Sequence, residues 1–395
     1  MKHSKKYRIV FAGLLSEKNL GDVIIADCTK WLFTQILKSS EEDKVIFDEI
    51  GFRELEEVRR SSFYRKKCYE VRRRLLPLVG MNWSKKNIQE HAKYFEPCFV
   101  DADLVVIVGG GVVKYKYQLF WVYLSGIIKA AQVNNIPIIL NAVGIEGYDA
   151  DNEKCQILKE ALNAPNVKAI TTRDDISVLD KYYINASSGI YTQKVADSAV
   201  WVSDAYGIHK EEHADVVGIG LVRSEIFKDN GIALSSEELV QIYVNILQEL
   251  DRKGHKWKLF TNGLPADEEL IPAILDQLGR NRSMVDILLP SSGEELVKGL
   301  AHFKGVIAAR LHANIVAYSL EVPSVGLVWN KKLLLFGESI GYKERFIVKD
   351  NFSAAYIVNH LETAISEGYD KKKMSPFKHS VRKSITDILT QNGFL

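Results

Sequence analysis

Arg310 and His312 stand two residues apart where an apolar run, Gly305–Ala309, gives way to the helical stretch Arg310–Leu320. An imidazole titrates near neutrality and can act as a general acid or base. A guanidinium presents a planar fork to a carboxylate or phosphate. A lone histidine is usually structural, but beside an arginine at a strand–helix junction it reads as a reacting group. Arg310 and His312 are therefore the candidate catalytic pair. Lys331 and Lys332 follow the next apolar run, Val325–Trp329, and Arg223 follows Val216–Val222. These three read either as anion-binding groups or as ordinary loop cations. Arg173 follows Val167–Thr172; it could clamp an anion or pair with Asp174 or Asp175.

Three glycines, Gly109, Gly110 and Gly111, follow the buried run Leu104–Val108. Such a triplet costs chain entropy, so it marks either a ligand that touches the backbone or a flexible loop. Lys114, Tyr115, Lys116 and Tyr117 bring cations and phenols to the same place. Asn19-Leu20-Gly21-Asp22 lies where the first strand turns into the first helix. The helix N-terminus offers amides to an anion, unless Asp22 caps it. Asp197, in Asp197-Ser198-Ala199, reads equally as a turn cap or a ligand contact, and Asn19, Gly21, Asp22, Lys114, Tyr115 and Asp197 are together the candidates for acceptor contacts or for turns. Together these cations favour a substrate with several negative charges. No Gly-x-Gly-x-x-Gly and no Gly-Lys-Ser/Thr after the triple glycine is present, so dinucleotide and P-loop readings lack support.

The elements that must position these residues alternate strand and helix. Strands are expected at 8–12, 44–47, 104–108, 137–143 and 167–172, with helices at 23–37, 120–134 and 176–183. Continuous apolar runs suit strands buried on both faces of a parallel sheet. A polar stretch, Trp201–Asp215, reads as a linker. The pattern then restarts, with strands at 216–222, 258–261, 305–309 and 325–329 and helices at 235–253, 266–278 and 310–320. The expectation is an α/β chain of two Rossmann-like domains facing a cleft: 1–205, 206–375, and a terminal helix, 376–395. Ligands of such sheets bind beyond the carboxyl ends of the strands, where the candidate residues fall.

The chain has 395 residues, 47% hydrophobic and 26% charged, with a formal net charge of +2. That composition excludes a mainly disordered chain and gives a nucleic-acid binder no support. Cys28, Cys68, Cys98 and Cys155 form no CxxC pair, which argues against a zinc ribbon or a disulfide scaffold, and no metal site is expected. Tyr7–Leu15 is too short to span a bilayer, so it reads as a strand and the protein as cytoplasmic. One segment stands apart. Between Arg59 and Lys86, the cations Arg59, Arg60, Arg65, Lys66, Lys67, Arg72, Arg73, Arg74, Lys85 and Lys86 face one acid, Glu70. It reads as a solvated basic face or as a surface for anionic lipid head groups.

In order and spacing the chain resembles the polysaccharide pyruvyl transferases. The resemblance spans roughly residues 8–348. It rests on Asn19-Leu20-Gly21-Asp22, Gly109-Gly110-Gly111, Thr172-Arg173-Asp174, Asp197-Ser198-Ala199, Arg310-Leu311-His312-Ala313, Val322-Pro323 and Lys331. Lys18 stands where that family usually has glycine. The resemblance implies a GT-B-like fold, in which the last helix, Ser380–Leu389, crosses back to the first domain. It also implies transfer of the enolpyruvyl carbons of phosphoenolpyruvate to two hydroxyls of one sugar, releasing phosphate and leaving a cyclic ketal. His312 would be the acid, with Arg310 and Arg173 on the donor's phosphate and carboxylate and Lys331 in support. Phosphoenolpyruvate is then a substrate, no cofactor is needed, and the partner is a sugar acceptor, free or lipid-linked, met in the cytoplasm or at the inner face of the membrane. The alternatives are a nucleotide-sugar glycosyltransferase, for which Glu338 is the nearest candidate carboxylate, and a silent glycan-binding relative.

Overall fold

The computed structural model describes residues 7–15, 19–37, 45–52, 83–116 and 119–395. Residues 59–82 of the basic segment lie outside them. The chain divides into two compact units: Met1–Ser16, Thr29–Asp197 and Ser380–Leu395 form one, Glu17–Cys28 and Ser198–His379 the other. The sequence places the boundary at 205, after the apolar Val200, Trp201 and Val202; all three are instead buried in the second unit. There the hydroxyl of Ser319 donates to the Val200 carbonyl at 2.8 Å. The expected linker thus begins inside packed structure, and only its later part, such as His209 and Glu211–His213, is exposed.

The elements of the first unit are β1 (Tyr7–Gly13), α1 (Leu20–Leu37, whose first nine residues belong to the second unit), β2 (Val45–Gly51), α2 (Trp83–Phe95), β3 (Leu104–Ile107), β4 (Gly110–Val113), α3 (Phe120–Val133), β5 (Ile138–Ile145), α4 (Glu153–Leu162), β6 (Val167–Thr172) and β7 (Tyr191–Lys194). The sheet is parallel, in the order β2-β1-β3-β5-β6-β7, with β4 beside β5. β3 and β5 are buried along their whole length, because helices cover both faces of a parallel sheet. α3 is apolar on nearly every side and lies buried from Phe120 to Ile128, as expected of a helix inside a core. The Tyr7 ring packs at a tilt against Phe394, and the Ser380 hydroxyl accepts from the Ala196 amide at 2.9 Å, which ties the chain's end into this unit.

The second unit holds β8 (Val216–Gly220), α5 (Ser236–Arg252), β9 (Lys256–Phe260), α6 (Ile271–Gln277), β10 (Ile287–Leu288), α7 (Gly293–Ala301), β11 (Phe303–Ala308), α8 (Leu311–Ser319), β12 (Ser324–Val328), α9 (Lys331–Ile340), β13 (Phe346–Val348), α10 (Ala354–Glu367) and α11 (Lys371–Gln391, which ends in the first unit). Its sheet is parallel, in the order β10-β9-β8-β11-β12-β13. α5 starts with a capping box: the Ser235 hydroxyl accepts from the Glu238 amide at 3.1 Å, and the Glu238 carboxylate accepts from the Ser235 amide at 2.7 Å. Such a cap contributes about 1 kcal/mol.

Three differences from the sequence expectation have local causes. The helix expected at 266–278 is two, Pro265–Glu268 and α6, each with a proline in its first turn. Proline fits a first turn because it has no amide to donate. The strands β7, β10 and β13 lie at sheet edges and are four, two and three residues long, too short for periodicity to show them. The triple glycine is no loose loop: Gly110 and Gly111 open β4, which pairs with β5. Gly110 has φ +92°, a conformation that side chains rarely tolerate. Among the described residues no helix is long and apolar enough to cross a membrane.

Candidate active site

In the second unit the chain runs from β8 out to β10 on one side, then returns to place β11 on the other side of β8. That reversal opens the crevice where open α/β sheets receive ligands. Arg223 follows β8 and Arg310 follows β11, so two of the expected cations flank the switch point.

A carboxylate outside the sequence-derived candidates joins them. Asp267, fully buried, accepts from Arg310 Nε at 2.8 Å and Nη2 at 2.7 Å, and from the Arg223 amide at 3.2 Å. Arg310 therefore spends one edge of its fork on Asp267 and keeps its remaining N–H groups for other partners. Burial and the Asp267 charge push the neighbouring Tyr243 phenol up, so it stays neutral. Asp267 lies in the acidic run Asp267-Glu268-Glu269, which reads as a helix start; nothing local marks it as an arginine's partner.

Arg310 is the N-cap of α8 and makes no side-chain cap bond there. Asn314, likewise unmarked by sequence, locks this corner: its amide donates to the carbonyls of Ala308 and Arg310, both at 3.0 Å. His312, in the first turn of α8, is buried, with 8% exposure.

The Asn19–Asp22 motif comes to the same place. A Cβ built on Gly21 would lie 2.3 Å from His312 Nδ1 and 2.5 Å from its Cγ. Gly21 is thus a glycine because the imidazole occupies its side-chain space. The Leu20 amide donates to the Asn262 carbonyl at 3.1 Å, just past β9. Asn19 Nδ2 donates to Asp22 Oδ2 at 2.8 Å. Replacing Gly21 by alanine should force the ring or the helix aside. The overlap is expected to cost about 1–3 kcal/mol and to impair turnover, read by denaturant melt and rate. Gly147→Ala, with nothing within 4 Å of the added carbon, serves as the control.

Lys331 and Lys332 open α9 at the end of β12, where Asn330 accepts from the Lys332 and Leu333 amides at 3.1 and 3.3 Å. The Trp329 indole donates to the Ala309 carbonyl at 2.7 Å and ties this corner to that of β11. Glu338 is exposed on α9 and paired with Lys343 at 2.6 Å.

The first unit assembles a second group. Arg173 pairs through Nη1 with Asp197, and both side chains are at least nine-tenths buried. The expected partners lie elsewhere: Asp174 accepts from the Ile145 amide at 2.8 Å, and Asp175 caps a helical turn by accepting from the Ser177 amide at 3.0 Å. The switch point of this sheet falls between β1 and β3, and Gly109–Gly111 lie just past β3. Tyr115, expected at a ligand mouth, is instead a core residue with 2% exposure. Burial, then the charges of Cys155, Asp149 and Glu146, push its phenol up to about 12. The alternation of polar and aromatic residues at 114–117 conceals this, since Glu146 takes the Tyr115 and Lys116 amides at 3.0 and 3.1 Å and turns the chain inward. Lys114 lies over the Phe120 ring, 5.9 Å from its centroid. Ala142, in β5, has φ +51°, held by the Thr171 hydroxyl, which accepts its amide at 2.8 Å. Strain of this kind gathers at functional edges. Among the described residues no group of three or more His, Cys, Asp or Glu is placed to hold a metal ion.

Two parallel α/β sheets, each with a switch point, define a GT-B-like fold. The UDP-GlcNAc 2-epimerase from Methanocaldococcus jannaschii is similar in structure, at 12% identity with a TM-score of 0.57, covering 98% of this chain and 99% of that one. The trehalose 6-phosphate synthase from Burkholderia multivorans is similar at 9% identity with a TM-score of 0.51, covering 98% and 97%. At such identities the likeness concerns the fold. No curated protein matches the chain in sequence. The model of the polysaccharide pyruvyl transferase family matches residues 19–331, and the chain belongs to that family.

Proposed function

We propose that this protein transfers the enolpyruvyl carbons of phosphoenolpyruvate to two hydroxyls of one sugar in a glycan or glycan precursor, such as that of an exopolysaccharide, capsule or cell wall. The observation that carries the reading is the meeting of the two ends of the family match: Asn19–Asp22 and Arg310–His312 share one compact unit, with His312 seated on Gly21.

Atoms and protons balance in this transfer. The donor's methylene carbon gains a proton, and its middle carbon becomes electrophilic. A sugar hydroxyl adds there and loses its proton. The C–O bond to phosphate breaks and phosphate leaves. A second hydroxyl then closes the ketal ring and loses its proton. The sequence of steps needs an acid, a base and positive charge for the leaving group. His312 supplies the acid in this reading. The N–H groups that Arg310 keeps, Arg223, Lys331 and Lys332 receive the anionic donor at the switch point, aided by the N-terminus of α8. Arg173 and Gly109–Gly111 are the anion-binding residues of the first unit in the same reading.

The test is phosphate release from phosphoenolpyruvate with a panel of free and lipid-linked sugars. Acceptor-dependent release, with a sugar that gains the mass of a pyruvate ketal, is the expected result. No release with any sugar, together with a thermal shift by a nucleotide sugar and none by phosphoenolpyruvate, overturns it in favour of a glycosyltransferase.

A further inference from the structure

The corner between the start of α1 and the end of β9 holds two polar atoms that the fold leaves unused. Asn262 is 1% exposed, yet its Nδ2 is buried with no hydrogen-bond partner. Asn19 Oδ1 is likewise buried and unpartnered. The two residues are neighbours, because the amide of Leu20, next to Asn19, donates to the Asn262 carbonyl at 3.1 Å. A buried donor or acceptor left unmade costs about 1–3 kcal/mol, and orphaned groups of this kind are few in native proteins. One orphan donor beside one orphan acceptor needs an explanation other than chance.

The polarity of the corner selects its ligand. A phosphate or carboxylate only accepts hydrogen bonds, so Asn19 Oδ1 would oppose it. The Asp22 carboxylate, held by Asn19 Nδ2 at 2.8 Å, would repel it as well. Asp22 also sits in the first turn of α1 and supplies the negative charge that this helix end favours. Two amides of that turn are already engaged, Leu20 with Asn262 and Asp22 with the Asn19 carbonyl at 3.0 Å. A group that both accepts and donates satisfies both orphans at once, and a hydroxyl does so.

We infer that Asn262 and Asn19 form a subsite for a sugar hydroxyl, with Asn262 Nδ2 donating to it and Asn19 Oδ1 accepting its proton's hydrogen bond. The inference rests on the proposed function for the identity of the sugar as acceptor. It divides the labour within this unit: the hydroxyl-bearing substrate lies on the Asn19–Asn262 side of His312, and the anionic donor on the Arg310–Arg223 side. Gly21 beneath the imidazole joins the two.

The experiment uses the full chain as wild type, Asn262→Asp and Asn262→Ala. Thermal shift and saturation-transfer NMR are recorded with methyl glycosides of galactose, glucose, mannose and N-acetylglucosamine, and separately with phosphoenolpyruvate. At least one glycoside is expected to bind the wild type and to bind both variants roughly tenfold or more weakly. The phosphoenolpyruvate shift should persist in both variants, which also shows that they fold. Binding of no glycoside to wild type overturns the subsite. So does a variant that keeps its glycoside and loses phosphoenolpyruvate. If glycoside binding tracks Asn262 while phosphoenolpyruvate fails to bind even the wild type, the subsite stands and the pyruvyl reading falls.

Discussion

Turnover in a His312→Ala variant is expected to fall by about 10²–10⁴-fold, the usual contribution of a positioned general acid. Binding of phosphoenolpyruvate, read by thermal shift, should change little, because the proposed reading assigns the anion to Arg310, Arg223 and the lysines opening α9. The ring lies against Gly21 in a buried site, so its loss also leaves a cavity next to α1. Stability must therefore be measured beside rate. His312→Gln, which keeps volume and hydrogen bonding but cannot cycle a proton near neutral pH, separates the two effects. It should melt near the wild type and still turn over slowly. A glutamine variant with full activity would remove His312 from the chemistry.

Asp267→Asn should have the second large effect, and on stability first. The change leaves the Arg310 guanidinium, 14% exposed, without its countercharge. Breaking one side of a buried ion pair costs about 3–5 kcal/mol. Two strand ends also loosen, since Asp267 takes both the Arg310 fork and the Arg223 amide. The denaturant midpoint should drop accordingly, and affinity for phosphoenolpyruvate should fall with it as the cations lose their placement. The double variant Asp267→Leu/Arg310→Met should be more stable than the sum of its single changes predicts, because no charge is left buried alone. Strict additivity would mean that the pair is weaker than its bidentate geometry implies.

Much of the architecture is legible in the order of residues alone. The runs Leu104–Ile107 and Val325–Val328 carry no polar side chain, as suits strands covered on both faces, and they announce a parallel α/β sheet. The cap at Ser235 and the cations Arg173 and Lys331 just past strand ends are equally plain, because a cap and a strand end are local features. The Arg310–His312 spacing and the Asn19–Asp22 turn can both be named from the chain by itself.

What the chain by itself does not say is which of these residues meet. Gly21 and His312 are far apart in sequence, and the start of α1 belongs to the second unit although its strand, β1, belongs to the first. Arg173 has acids beside it in sequence but pairs with Asp197. Asp267 has the look of an ordinary helix-start acid and is the carboxylate that orders two arginines. Tyr115 has the look of a mouth residue and is core. The physical reason is common to all four. Element type follows from local periodicity and chain stiffness, which are written in neighbouring residues. Ion pairing, burial and the orphaned amide of Asn262 depend on which strand ends the crossovers bring side by side, and that is settled only when the whole apolar surface is buried at once.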